Sequence, residues 1–196
     1  EDTGLFQRPS IAAHCVWLDD EDLAIMKEHQ VTPVHNPGSN MKLASGVAPV
    51  PWLLAQGVQV ALGTDGASSN NNLDMLEEVR LAAMLHKVKE LDPLAVDAAQ
   101  ALRMGTEYGA KALWLDNVGK IEAGAKADIV LYDMRRSEWC PRHNLVSLLV
   151  YSANSSSADT MFCNGRIIME KGELKTMDEE KILFEANKCA MDLVNR

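Results

Sequence analysis

Two histidines and one aspartate occupy comparable positions in the sequence, because each lies at or just after the end of a short apolar stretch. His14 lies in SIAAHCV, His35 ends VTPVH, and Asp65 follows VQVAL within VALGTDGASSNNN. Imidazole nitrogen and carboxylate oxygen are ligands that Zn²⁺ and Fe²⁺ accept, and a metal held by them activates water. The three side chains therefore point to a site for a divalent metal.

Each of these residues also has an ordinary structural explanation. A single histidine after an apolar strand is more often a hydrogen-bonded part of the scaffold, and an aspartate before a glycine usually belongs to a turn or a helix cap. A catalytic metal further needs about three protein ligands, and the sequence contains no HxH, HxxH or HxxxH pair. The shared position at three consecutive strand ends is what favours the functional explanation.

Alternating strands and helices are predicted for the first part of the chain. The apolar stretches 10–16, 31–35 and 58–62 indicate buried strands, while 19–30 and 50–56 indicate helices, the first capped by an aspartate and the second closed by a glycine. Strands separated by helices are typical of a parallel sheet or barrel, whose active sites lie at the carboxyl ends of the strands. We therefore expect the three polar side chains to meet at one rim.

Polar loops and a long helix complete this part. Segment 36–46 (NPGSNMKLASG) is predicted to be a loop, Asn72 is predicted to cap a long helix, and 93–113 is predicted to be helical. The apolar face predicted for the long helix consists of Leu73, Leu76, Val79, Leu81, Ala83 and Met84.

The pattern changes near Asp116, where we place a domain boundary. From residue 118 onward the sequence indicates strands, and Asn164 with Gly165 between apolar runs is a strong signal for a two-residue hairpin. A last amphipathic helix is predicted from about 176 to 194.

Composition excludes several classes of partner. The 196 residues carry a net charge of -9, which disfavours nucleic acid, and the apolar runs are shorter than the roughly 20 residues that span a bilayer. Four cysteines are spread widely without a CxxC pair, which favours reduced thiols. We therefore expect a cytoplasmic protein with neither nucleic acid nor membrane as a partner.

Four stretches, in this order and spacing, resemble a known family. AAHCVWLDDEDL, VHNPGSNMKLASGVAPV, VALGTDGASSNNNLDMLEEVRLA and GKIEAGAKADIVLYD are similar to the carboxyl-terminal half of the amidohydrolase superfamily. Within it they most resemble the 5-methylthioadenosine/S-adenosylhomocysteine deaminases, with guanine deaminases and triazine chlorohydrolases as relatives. The resemblance covers essentially the whole chain.

The resemblance implies a fold of the α/β class. We expect part of a (β/α)8 TIM barrel, comprising strands six to eight with their helices, and the carboxyl-terminal part of a β-sandwich domain. The corresponding segments are 1–116 for the barrel, 117–175 for the sandwich portion and 176–196 for a terminal helix.

The resemblance also implies residue roles. Asp65 matches a metal ligand that accepts a proton from the attacking water and contacts the substrate, and His14 matches a histidine that hydrogen-bonds this water and polarises the reacting centre. Ser69 matches a contact to the purine-like ring. His35 and Asn40 lie in the loop after barrel strand seven, where we expect ordering of the rim and, for His35, a substrate contact.

The implied activity is hydrolytic deamination of an aminopurine nucleoside, such as 5-methylthioadenosine or S-adenosylhomocysteine, with release of ammonia. The implied cofactor is one divalent metal, zinc or alternatively iron. This sequence has no counterpart of the family's HxH pair, of its third histidine or of its proton-shuttling glutamate. We therefore expect the other metal ligands to lie in upstream sequence. The chain alone is expected to bind metal weakly and to be inactive. We expect the full-length form to be a homo-oligomer. The alternatives are a guanine deaminase, a triazine chlorohydrolase, and a non-catalytic module derived from the barrel.

Overall fold

Three parallel strands form the first sheet, as the predicted alternation of strands and helices indicates. β1 (Ile11–Ala13), β2 (Thr32–His35) and β3 (Ala61–Leu62) lie in the order β1-β2-β3, with Ala13 beside Val34. This computed structural model describes residues 2–195. All three strands are shorter than the predicted stretches 10–16, 31–35 and 58–62.

The helices between these strands agree with the prediction in two cases and differ in one. α1 (Asp20–Glu28) and α3 (Val50–Ala55) form where expected, and Gly57 after α3 has the left-handed φ of 76° that a closing glycine supplies. The prediction of a loop at 36–46 is wrong, because α2 (Pro37–Lys42) forms there. Pro37 supports this helix since it occupies the first turn, where its missing N–H is no loss.

The segment after β3 contains two helices. α4 (Ala67–Asn70) is a single turn inside the predicted polar loop, and α5 (Met75–Glu90) is the long helix. The cap of α5 is Asp74 and not Asn72, since the Asp74 carboxylate accepts the N–H groups of Leu76 and Glu77.

The buried face of α5 also differs from the predicted apolar face. Leu73 and Met84 are exposed, while a carboxylate and an imidazole are buried. The buried residues of α5 are Glu78, Val79, Ala82, Ala83 and His86. Counting apolar side chains cannot find this face, because the two polar residues on it are paired inside the protein.

The remainder of the chain adds helices and an antiparallel sheet. Its elements are α6 (Ala98–Gly105), α7 (Glu107–Ala112), β4 (Ile129–Tyr132), α8 (Leu145–Tyr151), β5 (Ala158–Cys163), β6 (Arg166–Glu170) and β7 (Glu173–Leu174). The second sheet has the order β4-β5-β6-β7. The hairpin at Asn164 and Gly165 is confirmed, because both residues have positive φ.

Helix α8 packs against helices of the first part of the chain. Val150 of α8 is fully buried in the core cluster with residues of α3, α5 and α6. The Arg80 Nε of α5 donates a 2.9 Å hydrogen bond to the Val150 carbonyl. A helix of segment 117–175 therefore packs on the helices of segment 1–116, and the proposed division at residue 116 stays a prediction.

The last helix, α9 (Glu179–Val194), has the predicted position. Its cap is Asp178, whose carboxylate accepts the N–H of Lys181, and none of its residues is buried. Within residues 2–195, no helix combines the length and the apolar character needed to cross a membrane.

Candidate metal and catalytic site

The carboxyl ends of β1 and β3 bring His14 and Asp65 together. The His14 N–H continues the pairing of β1 by donating to the Val34 carbonyl at 2.8 Å, and Asp65 lies in the loop after β3. The His14 Nε2 is 3.8 Å from the Asp65 Oδ2, and both side chains are partly exposed. His14, Cys15 and Asp65 have left-handed φ values of 67°, 48° and 66°. Such strained backbone positions cluster at functional sites.

The Asp65 carboxylate is held by three donors. Its Oδ2 accepts hydrogen bonds from the Ser69 hydroxyl at 2.7 Å and the Ser39 hydroxyl at 2.8 Å, and its Oδ1 accepts the Gly66 N–H at 2.8 Å. These bonds, that of Ser69 foremost, lower the pKa of Asp65 from 3.8 to about 2. The carboxylate is therefore ionised at neutral pH, as a metal ligand must be.

The His14 ring is oriented from α2. Its Nδ1 lies 2.8 Å from the Asn40 Oδ1, and an amide oxygen can only accept. In the neutral ring the proton is therefore on Nδ1, and Nε2 faces Asp65 with a free lone pair. Asn40 is buried, so it holds the ring from the interior. The ordering of the rim by Asn40 stays a prediction, and this contact is consistent with it.

The His35 side chain is buried at the end of β2. Side chains alternate along a strand, and in β2 Pro33 and His35 are on the buried side. The His35 Nε2 is 3.2 Å from the Nε2 of His86 on α5. Burial, with Coulomb repulsion from His86 as the next cause, lowers the pKa of His35 to about 3. The structure brings His14, Asp65 and Ser69 together, whereas the His35 imidazole contacts His86. The substrate contact of His35 stays a prediction.

Two contributors were missed from the sequence. The sequence pattern predicts only a loop around Ser39, although HNPGSN places this residue beside Asn40. Glu78 is not part of the apolar face predicted for α5, yet it is buried. The sequence signal for Ser39 is its position beside a proline-started helix, whereas Glu78 carries no signal of its own.

The arrangement of Asp65 and His14 fits one part of a metal site. The ionised Asp65 carboxylate is a suitable ligand for Zn²⁺, and the His14 imidazole lies close to it. Within residues 2–195 there is no group of three or more histidine, cysteine, aspartate or glutamate side chains that could hold a metal ion. The described residues can therefore contribute to a metal site but do not complete one.

Replacing Ser39 should change the acidity of Asp65. Ser39→Ala removes one of two hydroxyl donors on Oδ2, so we expect the pKa of Asp65 to rise from about 2 toward 3.8. A ¹³C NMR titration of the carboxylates in the metal-free chain measures this. The control is Ser68→Ala, at an exposed position of α4. Equal Asp65 titration in both variants would contradict the described hydrogen bond.

Sequence comparison relates this chain to known proteins. Residues 2–168 match the profile of the amidohydrolase family. A protein of Dictyoglomus thermophilum named 5-methylthioadenosine/S-adenosylhomocysteine deaminase is 56% identical over 98% of this chain and 45% of its own length. One of Pelotomaculum thermopropionicum with the same name is 54% identical over the same shares. The chain thus spans about half the length of the curated relatives it matches.

Solved structures give the same relationship in three dimensions. A zinc-bound adenosine deaminase of Xanthomonas campestris superposes with a TM-score of 0.91 at 37% identity, over 95% of this chain and 43% of the other. A zinc complex of atrazine chlorohydrolase from Arthrobacter aurescens gives 0.83 at 27% identity, over 92% and 40%. A guanine deaminase of C. acetobutylicum with bound guanine gives 0.74 at 27% identity, over 85% and 41%. These relatives imply an α/β fold of the TIM-barrel type.

Proposed function

Because the chain belongs to the amidohydrolase family, we propose that it is the carboxyl-terminal part of a metal-dependent deaminase of 5-methylthioadenosine or S-adenosylhomocysteine. The observation that carries this proposal is the ionised Asp65 carboxylate at a strand end, 3.8 Å from the His14 imidazole. The deaminase name shared by relatives at 56% and 54% identity supports the substrate class.

The proposal includes a position for the chain within the larger fold. β1, β2 and β3 correspond to barrel strands six, seven and eight, and β4 to β7 correspond to a share of a β-sandwich. The parallel order of the first sheet and the antiparallel order of the second support this assignment.

The proposed cofactor is one zinc ion, as in two of the solved relatives. Asp65 would be its ligand from this chain. Zinc at such a site supplies a nucleophile at neutral pH, because it lowers the pKa of bound water from about 15.7 to about 7.

The residues of this chain then have distinct roles in the reaction. Asp65 accepts a proton from the attacking water, while His14 Nε2, held in orientation through Asn40, aligns this water with the amine-bearing ring carbon. Ser69 keeps the Asp65 oxygen in place and contacts the purine-like ring. The water oxygen bonds to the ring carbon, and the amine takes up one of the two water protons as its own bond to that carbon breaks, so that it leaves as ammonia. The other water proton ends on the ring nitrogen, and the ring carbon keeps the oxygen as a carbonyl.

A substrate panel tests the proposal. We suggest a hybrid enzyme in which this chain replaces the matching segment of the Dictyoglomus thermophilum relative, hereafter the hybrid. With zinc present, we expect ammonia from 5-methylthioadenosine and S-adenosylhomocysteine, little from guanine, and no chloride from a chlorotriazine. The 196-residue chain assayed alone should bind zinc weakly and release no ammonia.

Three outcomes would contradict this assignment. Faster ammonia release from guanine would favour a guanine deaminase, and chloride release would favour a chlorohydrolase, two activities named for the solved relatives. A hybrid that folds and binds zinc but turns over none of the four compounds would favour a non-catalytic module.

A further inference from the structure

A second carboxylate lies beneath the site and has no role in the reaction described above. Glu78 of α5 is 1% exposed. Its Oε2 accepts the Gly38 N–H at 2.9 Å, and its Oε1 accepts a hydrogen bond from the Asn70 Nδ2 at 2.8 Å. Burying a charged carboxylate is costly unless hydrogen bonds offset the lost hydration. These two donors come from α2 and α4, which are far apart in the sequence.

The donors to Glu78 and to Asp65 are neighbours in the chain. Gly38 precedes Ser39, and Asn70 follows Ser69. On both helices, one residue of the pair therefore binds Glu78 and the adjacent residue binds Asp65. The two carboxylates bridge the same two helices, one at the rim and one in the interior.

The Glu78 side chain is closely packed against Gly38 and Asn70. A Cβ atom on Gly38 would overlap the Glu78 Oε1 and lie 2.8 Å from the Asn70 Nδ2. The Asn70 Oδ1 is used as well, since it accepts the Leu73 N–H at 3.1 Å. The amide of Asn70 is therefore fixed in orientation, with its nitrogen toward Glu78.

We propose that Glu78 is a positioning residue of the site, which holds α2 and α4 at the separation where the Ser39 and Ser69 hydroxyls both reach one oxygen of Asp65. Asn40, the next residue on α2, extends the same support to the His14 ring. The catalytic meaning of this role rests on the proposed function, whereas its structural part does not.

The hydrogen-bond pattern allows a test with a matched rescue. Glu78→Gln replaces one acceptor oxygen by an amide group, so one of the two donors loses its partner. Adding Asn70→Asp restores both hydrogen bonds and the negative charge. The carboxylate introduced at position 70 accepts a hydrogen bond from the amide introduced at position 78, and it still accepts the Leu73 N–H. Glu77→Gln, at the exposed neighbouring position, is the control.

The first measurement is the ¹³Cγ resonance of Asp65 in the 196-residue chain at neutral pH. We expect Glu78→Gln to shift it in the direction that Ser39→Ala does, and the double variant Glu78→Gln with Asn70→Asp to return it. This readout does not need metal or turnover, so it holds even if the substrate proposal fails.

The second measurement uses the hybrid. Loss of a residue that supports a metal ligand typically lowers metal affinity or activity by about 10- to 100-fold, so Glu78→Gln should lower kcat and speed zinc loss to a chelator within that range, with a smaller change in KM. The double variant should recover most of both. Urea unfolding of each variant separates this effect from general loss of stability.

Two results would overturn the inference. One is a Glu78→Gln protein of reduced stability whose Asp65 resonance, kcat and zinc retention equal those of the Glu77→Gln control. The other is a folded double variant that stays as impaired as Glu78→Gln. If Glu78→Gln itself does not fold, the double variant alone decides, since the inference requires it to fold and to show the parent's Asp65 resonance.

Discussion

Asp65→Asn should reduce turnover of the hybrid by at least about 10²- to 10⁴-fold, the range that proton transfer by a positioned side chain supplies. The neutral amide keeps the shape of the side chain and an oxygen for the Ser39 and Ser69 hydroxyls. It cannot accept the proton from water, however, and it is a poor ligand for zinc. We expect the zinc content after dialysis to fall together with kcat.

Asp116→Asn is the matched control for this prediction, because it removes the same charge at an exposed position outside the site. It should leave zinc content and kcat unchanged. An Asp65→Asn hybrid with near-normal turnover and full zinc occupancy would remove Asp65 from the mechanism.

Acid should destabilise the chain through the buried pair His35 and His86. Both imidazoles are nearly inaccessible to solvent, and their Nε2 atoms lie 3.2 Å apart. Burial foremost, and then neighbouring positive charges, lower the pKa of His35 from 6.5 to about 3 and that of His86 to about 4. Charging either ring in the folded protein is therefore unfavourable.

The direction of the pH effect follows from these pKa values. Below about pH 6.5 the unfolded chain takes up protons on both histidines while the folded chain does not, so the free energy of unfolding decreases as the pH falls. The stabilising contribution is fully present above pH 6.5 and is lost progressively toward pH 3 to 4. Each histidine adds a slope of up to about 1.4 kcal/mol per pH unit.

Urea unfolding of the chain between pH 7.5 and 4 measures this slope. We expect His86→Gln, and more strongly His35→Gln with His86→Gln, to flatten it even if the absolute stability decreases. His143→Gln, at an exposed position, should leave the slope unchanged. A double variant with the same slope as the parent would show that other groups cause the acid sensitivity.

The reliable sequence inferences concern short stretches of chain. Apolar stretches bounded by polar residues located β1, β2 and β3, and the Asn164–Gly165 pair located the hairpin between β5 and β6. These features depend on neighbours within a few residues, so the sequence displays them directly. The predictions for segment 36–46 and for the cap of α5 failed because short helices and competing polar caps lie close together there.

The sequence by itself therefore determined the family, the positions of β1, β2 and β3, and the strand ends from which His14 and Asp65 extend. Only the tertiary structure decided that His35 faces His86 and that Glu78 is buried against Gly38 and Asn70. The physical reason is that the environment of a polar side chain is set by partners from distant segments. A carboxylate on a helix has the same local pattern whether it faces water or two buried donors.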